Sequence, residues 1–412
     1  MILDLAVIGG GPAGMMSAIS ASQYSNSVYL LEKNESLGSK LLLTGKGRCN
    51  FTSAKSIPDI VESFGKKGRF LYSAFTRFSN QDLINFFAKN GVKSKTERGQ
   101  RVFPVSDKAE DIVNCLQKQL HLNKVKFIIS FPVKNIFLRK DYFLVKSTEG
   151  RSLQTKRVVI ATGGLSYPAT GSTGDGYTLA KKLGHQIILP MPALVALFSG
   201  NKDVRSLAGL SLKNVSLSFF RENILLTSEF GEMLFTHSGI SGPIVLSQSK
   251  KIAQRLADKE IITAVIDFKP ALSGKELQTR IYRDIHSMPK KEFQTLLSGL
   301  VPKSLMPVLL KNTGIDKHIQ NSLLSKENIE NIVRFLKSYS FFISATAPIE
   351  TAIVTAGGIP INEIDQRTME SKIVPGLYFA GEIIAVDGPT GGYNLQKAFS
   401  TGWLAGKSAG QK

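Results

Sequence analysis

A chain of 412 residues, 42% of them hydrophobic, exceeds the usual length of one compact domain, so two or three are expected. Its 52 Lys and Arg against 32 Asp and Glu leave a formal charge of +20. That surplus points to a polyanionic partner, with a merely basic enzyme holding an anionic cofactor as the alternative. Two cysteines, Cys49 and Cys115, form no disulfide framework and suit a reducing, cytoplasmic setting; no basic leader opens the sequence, and no run reaches the about 18 apolar residues of a membrane span.

Residues 3–9, LDLAVIG, predict a buried parallel strand ending in glycines. Residues 13–24 are small and apolar at helical spacing, and 27–32 predict a second buried strand. Together they make a βαβ unit. Residues 80–90 and 107–120 read as amphipathic helices, with Asn80 and Asp107 as N-caps. Four short stretches at 124–130, 133–139, 142–148 and 151–162 predict a β-meander that feeds a central strand at 157–161. Composition shifts near Pro190-Met191-Pro192. Residues 193–269 alternate like strands, and 273–337 are helical with Lys-rich polar faces. Strand-like, glycine-rich sequence returns from 351, and a final helix is expected around 395–408. The expected fold is α/β: a Rossmann-type doubly wound domain, discontinuous, with parts at 1–191 and 346–412. The insertion at 192–345 is expected to be β-rich over 192–270 and helical over 271–345.

Gly9, Gly11 and Gly14 stand as G-x-G-x-x-G, with Pro12 and Ala13 between the second and third. The first permits a tight turn, the second lets backbone approach a pyrophosphate, and the third allows close helix–strand packing. Glu32 ends the second strand, placed to accept hydrogen bonds from ribose hydroxyls. The bland alternative is a glycine turn with a surface Glu. FAD is favoured over NAD by two later glycine segments, Thr162-Gly163-Gly164 and Gly381-Glu382, and by the lack of a second strand–GxGxxG–helix unit. FAD offsets only about two of the positive charges, one per phosphate.

Longer motifs carry a resemblance. They are Thr44-Gly45-Lys46-Gly47-Arg48-Cys49-Asn50, Thr162 to Pro168, Thr170 to Gly176, Phe235 to Pro243, Thr355 to Gly358, Thr368 to Lys372 and Asp387 to Gln396. The sequence resembles the BaiN-like bacterial flavoproteins, also known as aminoacetone oxidase family flavoproteins, nearly end to end. Thr44 stands where that family is expected to carry Ser; both offer a hydroxyl. The resemblance implies bound FAD and a fold with an inserted β-rich and helical domain. It also implies a link to uridine reduction in ribosomal RNA.

Within these motifs, Arg48 is a candidate for negative charge on a reduced flavin or on phosphates, and Asn50 for the ring edge. Cys49 is either a proton donor to hydride transfer or a small buried residue without chemistry. Gly392-Tyr393-Asn394-Leu395 opens the last helix, where free N–H groups could face the flavin's pyrimidine carbonyls. Lys33, Lys40, Gly47 and Val133 complete the candidate cofactor set.

His237, in the insertion, is a candidate acid or base above the flavin, or else a hydrogen-bonded interface residue. His121, His185, His286 and His318 lack motif context, and no cluster has metal spacing. The loop from Ser166 to Gly176 reads equally as a substrate entrance or a structural turn. Basic clusters at Lys66-Lys67-Gly68-Arg69, at Lys93, Lys95, Arg98 and Arg101, and at Lys250-Lys251 and Lys290-Lys291 suit RNA or a solvated face. The expected activity is two-electron transfer through FAD to a C=C bond, with NAD(P)H as transient donor. The alternatives are uridine reduction in ribosomal RNA, small-molecule amine oxidation, and a non-enzymatic FAD protein that binds RNA.

Overall fold

In the computed structural model, which describes residues 2–412, the first apolar run becomes β1 (Ile2–Ile8), with Leu5, Ala6 and Val7 fully buried. Cover on both faces is why this strand reads as a continuous apolar run. α1 (Pro12–Ala21) follows the glycine turn, and β2 (Val28–Leu31) pairs parallel with β1, Leu5 opposite Val28. The chain then leaves the large sheet. It forms a small one from β3 (Thr52–Ser53), β4 (Ser94–Glu97) and β5 (Arg101–Pro104), ordered β3-β5-β4. Helices Ile57–Ser63, Tyr72–Arg77 and Asn80–Lys89 lie between β3 and β4.

Neither expected N-cap serves as one. Ser79 caps the helix Asn80–Lys89 in a capping box with Asp82, while the buried Asn80 amide donates to the carbonyls of Ser53 and Lys55. α2 (Ala109–Leu122) starts two residues after Asp107, whose carboxylate is drawn to Arg48 and Lys95 instead.

β6 (Lys126–Ile128) pairs parallel with β2 and so extends the Rossmann sheet; it is not part of the meander expected from 124 onward. The meander proper is β7 (Val133–Leu138), β8 (Phe143–Ser147) and β9 (Ser152–Ile160), all antiparallel. β9 is shared. β1 runs parallel along one edge. On its other edge β8 covers residues 152–155, and then gives way to a strand from the far end of the chain. α3 (Asp175–Lys182) and β10 (Ile188–Ala193) complete the first stretch.

The chain divides into two compact units, Met1–Ala193 with Pro348–Lys412, and Leu194–Ala347. The sequence reading divides at 191/192 and 345/346. In the first unit, β11 (Val354–Gly358) pairs antiparallel with β10, and β12 (Leu377–Phe379) pairs parallel with β9, Leu377 opposite Val158. α4 (Tyr393–Gln411) is three residues longer than expected at its C-terminal end. It packs on α1 through Gly402, Gly406 and Gly410. A Cβ on these would fall 2.3, 2.0 and 2.8 Å from the carbonyl oxygens of Ala13, Ser17 and Ala21. Backbone therefore meets backbone along three turns, and the Ser17 hydroxyl donates to the Gly402 carbonyl at 2.9 Å.

The second unit holds a seven-stranded antiparallel sheet. Its order is 339–343, 262–267, 211–221, 224–236, 239–241, 197–198, 345–346. Only Ser344 separates the strands at the two ends of that order. One residue spans about 3.5 Å, so the sheet curls until its ends meet. Leu217, Phe219, Phe235, Ile262, Ile266 and Phe341 fill its interior. Helix Pro243–Ala257 lies within the stretch read as strands, a correction explained by Pro at the first helical turn after Gly242. Four further helices follow between Gly274 and Ser338, and the expected helical part ends on the edge strand Tyr339–Ile343.

Candidate functional site

The glycine turn sits where β1 hands over to α1. Gly9 has φ +107°, and a Cβ there would lie 2.5 Å from the Ala161 carbonyl oxygen. A Cβ on Gly14 would lie 1.8 Å from the Gly9 oxygen, whereas one on Gly11 would meet nothing within 4 Å. Two of the three glycines thus serve close packing, and Gly11 opens a cradle at the helix start. α1 has no side-chain cap and no acidic residue in its first turn; the same holds for α4 at Gly392. Elsewhere serines close helix starts with capping boxes, at Ser79, Ser273 and Ser325. Two uncapped N-termini in one unit leave N–H groups that favour an anion or a carbonyl.

Glu32 is 9% exposed, and its carboxylate accepts from Gly10 N at 2.6 Å and Asn34 N at 2.8 Å. This pins its head beside the glycine turn with lone pairs to spare. Lys33 turns to Asp175, 2.7 Å away, and ties α3 to the end of β2. The Thr170-to-Gly176 loop is further fixed by the Asn34 amide, which donates to the Thr170 carbonyl at 3.0 Å.

Pairing of β12 with β9 carries Gly381 and Glu382 to the Thr162-Gly163-Gly164 turn. A Cβ on Gly381 would be 2.7 Å from the Ala13 Cβ, so the late glycine touches the first helix. Glu382 gathers a partly buried polar cluster. Lys40 Nζ donates to its Oε2 at 2.8 Å and to Ser166 Oγ at 2.6 Å, and Thr355 N donates to its Oε1 at 2.8 Å. Burial pushes the Glu382 carboxyl up, but Lys40, the Thr355 N–H and Lys397 outweigh it and hold it below the usual carboxylate range. Burial and the Glu382 charge together push the neighbouring Tyr177 hydroxyl up.

The Thr44–Asn50 loop follows the short helix Ser39–Leu43 and turns through left-handed backbone at Gly45, Lys46, Gly47 and Cys49. Lys46 and Cys49 hold a conformation that side chains disfavour, at φ 58° and 59°. Cys49 is fully buried, and burial pushes its thiol up to about 12. Thr44 Oγ1 donates to the Leu41 carbonyl at 2.6 Å. The Arg48 guanidinium pairs with Asp107 at 2.6 Å and with Glu97, and stacks 4.3 Å over Phe103. The buried Asn50 Oδ1 has no hydrogen-bond partner within the protein.

A Cβ on Gly392 would lie 2.4 Å from the Thr52 oxygen, so the start of α4 abuts β3, two residues beyond Asn50. Asn394 locks the preceding loop through Gly388, accepting from its N at 2.9 Å and donating to its O at 2.7 Å. Tyr393 packs edge-on against Phe64, and Leu395 packs against the core.

One unit therefore brings together Gly9, Gly11, Pro12, Ala13, Gly14, Glu32, Lys40, the 44–50 loop, Thr162–Gly164, Gly381–Glu382 and Gly392–Leu395. Val133 starts β7, paired with Ser147, two residues after Phe131, whose N donates to the Glu32 carbonyl at 2.8 Å. His237 is exposed on the turn between strands Ile224–Thr236 and Gly239–Ser241 of the other unit. Both cysteines are free and buried. Among the described residues no three His, Cys, Asp or Glu side chains gather as a metal group, and no helix is long and apolar enough to cross a membrane.

Sequence reasoning missed Ser166, Thr355 and Lys397 as a polar set around Glu382. Ser166 and Thr355 stand within recognisable motifs, and their hydroxyls were the signal. Lys397, 1% exposed and donating to the Val386 carbonyl at 2.5 Å, gave none. Gln396 ends the last of those motifs; its amide accepts from Thr52 Oγ1 at 2.5 Å and stitches α4 to β3.

The residues fit FAD. Gly11 leaves open space at the start of α1, two helix starts are uncapped, and the buried Asn50 oxygen is unpartnered. A family model described as the HI0933-like protein Rossmann domain matches residues 3–408. The chain is 32% identical over 410 residues, 99% of each sequence, to the 3-dehydro-bile acid delta(4,6)-reductase of Clostridium scindens. It is 31% identical over 406 residues, 98% of this chain and 97% of the relative, to the ribosomal RNA dihydrouridine synthase of Haemophilus influenzae. A 3-ketosteroid delta1-dehydrogenase from Sterolibacterium denitrificans, solved with 1,4-androstadiene-3,17-dione, shares the fold with a TM-score of 0.54 over 99% of both chains at 13% identity. The chain belongs to the HI0933-like Rossmann family and is a FAD-dependent oxidoreductase.

Proposed function

We propose that the protein reduces a carbon–carbon double bond conjugated to a carbonyl, taking electrons from a reduced nicotinamide nucleotide by way of FAD. The end-to-end likeness to the delta(4,6)-reductase carries this reading, since that enzyme's name states C=C reduction in an oxo-steroid acid. FAD, when bound, takes up a hydride from the donor and passes one to the acceptor carbon.

The chain's own residues supply binding and charge control. Gly11 and the first turn of α1 receive the pyrophosphate, and Glu32 the ribose. Gly163, Gly164 and Gly381 close the backbone on Ser172, Thr355 and Ala13, and their turns would hold the middle of the cofactor. Glu382 stays ionised and held by Lys40, so its position does not drift with pH near neutrality. The start of α4 and Asn50 address the polar edge of the ring, where N–H groups favour negative charge. We assign the proton for the second carbon to Cys49, whose thiol stays protonated at neutral pH. His237 is the other candidate donor. The two free, buried cysteines support placing this work in a reducing compartment such as the cytoplasm.

Anaerobic stopped-flow mixing with NADH and NADPH tests the reading. Bleaching by one of them, followed by reoxidation on adding a conjugated enone, is the expected result. No bleaching by either nucleotide removes the nicotinamide donor; bleaching without reoxidation by any enone removes the acceptor class.

A second reading keeps the same bond chemistry with a different substrate, uridine in ribosomal RNA, whose C5=C6 bond is conjugated to a carbonyl. The charge of +20 and the two relatives named ribosomal RNA dihydrouridine synthase support it. Nucleoside mass spectrometry of ribosomal RNA from a deletion strain should lose one dihydrouridine; an unchanged profile would exclude it.

A further inference from the structure

The positive charge is not spread evenly. Between Thr44 and Lys108 there are thirteen Lys and Arg against five Asp and Glu, so these 65 residues hold +8 of the chain's +20. Four of the five carboxylates are committed. Asp59 and Asp82 accept from the hydroxyls of the N-cap serines Ser56 and Ser79, and Glu97 and Asp107 hold Arg48 and Lys95. Lys46, Lys55, Lys66, Arg69, Arg98 and Arg101 are exposed, and among the described residues none has a carboxylate at ion-pair distance. Gathering like charges without counter-charges costs free energy, which a polyanion recovers on binding.

The fold ties these cations to the candidate site. β3 pairs with β5, Ser53 opposite Arg101, and Ala54 N donates to the Gln100 carbonyl at 2.8 Å. The tip carrying Arg98 and Arg101 is thereby held beside Lys55. Lys55 Nζ lies 5.9 Å from the Tyr393 ring centroid at the start of α4. Exposed Tyr72, next to the Lys66–Arg69 stretch, adds an aromatic face. A dinucleotide's pyrophosphate carries about two charges and accounts for little of this surplus. A chain with one charge per phosphate matches its size.

We propose that the 44–108 segment is a docking surface for the sugar–phosphate backbone of RNA, with Arg98 and Arg101 on one side and Lys66 and Arg69 on the other. The proposal rests on the uridine reading of the function.

The test uses oxidised holoenzyme without reductant, so binding is read apart from turnover. A labelled uridine-rich RNA of about 20 nucleotides is titrated from roughly 50 to 200 mM salt. Arg98→Glu/Arg101→Glu and, separately, Lys66→Glu/Arg69→Glu should each weaken binding about tenfold or more. Each should make the slope of log K against log salt shallower by about 1.4, at ~0.7 for each phosphate left without its cation. Flavin absorbance and reduction of a free enone should persist. The control pair Lys290→Glu/Lys291→Glu, in the other unit, should bind RNA as the parent does. Unchanged affinity and slope in both surface pairs overturns the proposal, as does an equal loss in the control. Poly-glutamate binding as tightly as RNA overturns it in favour of an acidic polypeptide. Product analysis of the same RNA after reduction separates the readings: binding lost in the surface variants with no dihydrouridine formed by the parent leaves the docking surface standing and removes the reaction.

Discussion

Replacing Lys40 by Met should invert the pH dependence of stability at Glu382. The ammonium lies 2.8 Å from the carboxylate, with side-chain exposures of 21% and 18%. In the parent protein the folded-state pKa of Glu382 lies below its unfolded value. The ionised group therefore stabilises the fold above the unfolded pKa of about 4.3, and that contribution is lost as pH falls through the folded pKa. Lys40→Met keeps the apolar stem and removes the charge. Burial then dominates, the folded pKa moves above the unfolded one, and stability falls as pH rises. Breaking a fully buried pair costs about 3–5 kcal/mol. Residual exposure of about a fifth on each side screens part of this and brings the expectation to roughly 2 kcal/mol. At about 2–4 °C per kcal/mol, the melting temperature near neutral pH should drop roughly 4–8 °C. Calorimetry from about pH 4.5 to 8 with excess FAD reads both the drop and its sign. Lys40→Met/Glu382→Gln should recover most of the loss, because no charge is then stranded. A double variant no more stable than the single one would refute the ion-pair account.

Two glycine substitutions should fail for opposite reasons. Gly11→Ala has room and an ordinary backbone, φ −79°, so the apoprotein should melt within about 0.5 kcal/mol of the parent while FAD affinity falls about tenfold. Gly14→Ala drives a Cβ to 1.8 Å from the Gly9 oxygen, and soluble yield and flavin content should collapse together. Native Cys49 should resist aromatic disulfide reagents at about pH 8, because burial removes access and its thiol, at about 12, holds its proton; fast native labelling at that site would contradict the structure. Cys49→Ser should retain FAD and slow the oxidative half-reaction, and an unaltered rate would leave the residue structural.

The parts legible in the sequence were those written in local pattern. β1, α1 and β2 follow from one apolar run, one glycine turn and one more run, all within 31 residues. Stretch 124–130 was misplaced because a short apolar run fits a meander strand and a parallel edge strand equally well. Ser79 and Asn80 are both cap formers; the deciding signal was Asp82, three residues after Ser79, which completes a capping box. Helix Pro243–Ala257 was hidden among strand-like neighbours, although its Gly-Pro start was visible. The contacts that shape the site lay beyond local pattern. Lys40 and Glu382 are 342 residues apart, and Arg48 meets Asp107 because the 44–50 loop runs into β3, which pairs with β5. Charge partners are chosen by topology, and a single sequence does not record them.

The glycine stripe on α4 sets an order of events during synthesis. α1 is made early, yet the surface that covers it begins at Gly402, nearly 400 residues later. At roughly 5–20 residues per second, this leaves α1 uncovered for about 20–80 s on the ribosome. β9 waits a little over half as long for β12, since the partner of Val158 is Leu377. The second unit, contiguous in sequence, is complete before either wait ends. The FAD domain therefore closes last, and the nascent protein depends on whatever shields α1 and the end of β9 in the meantime.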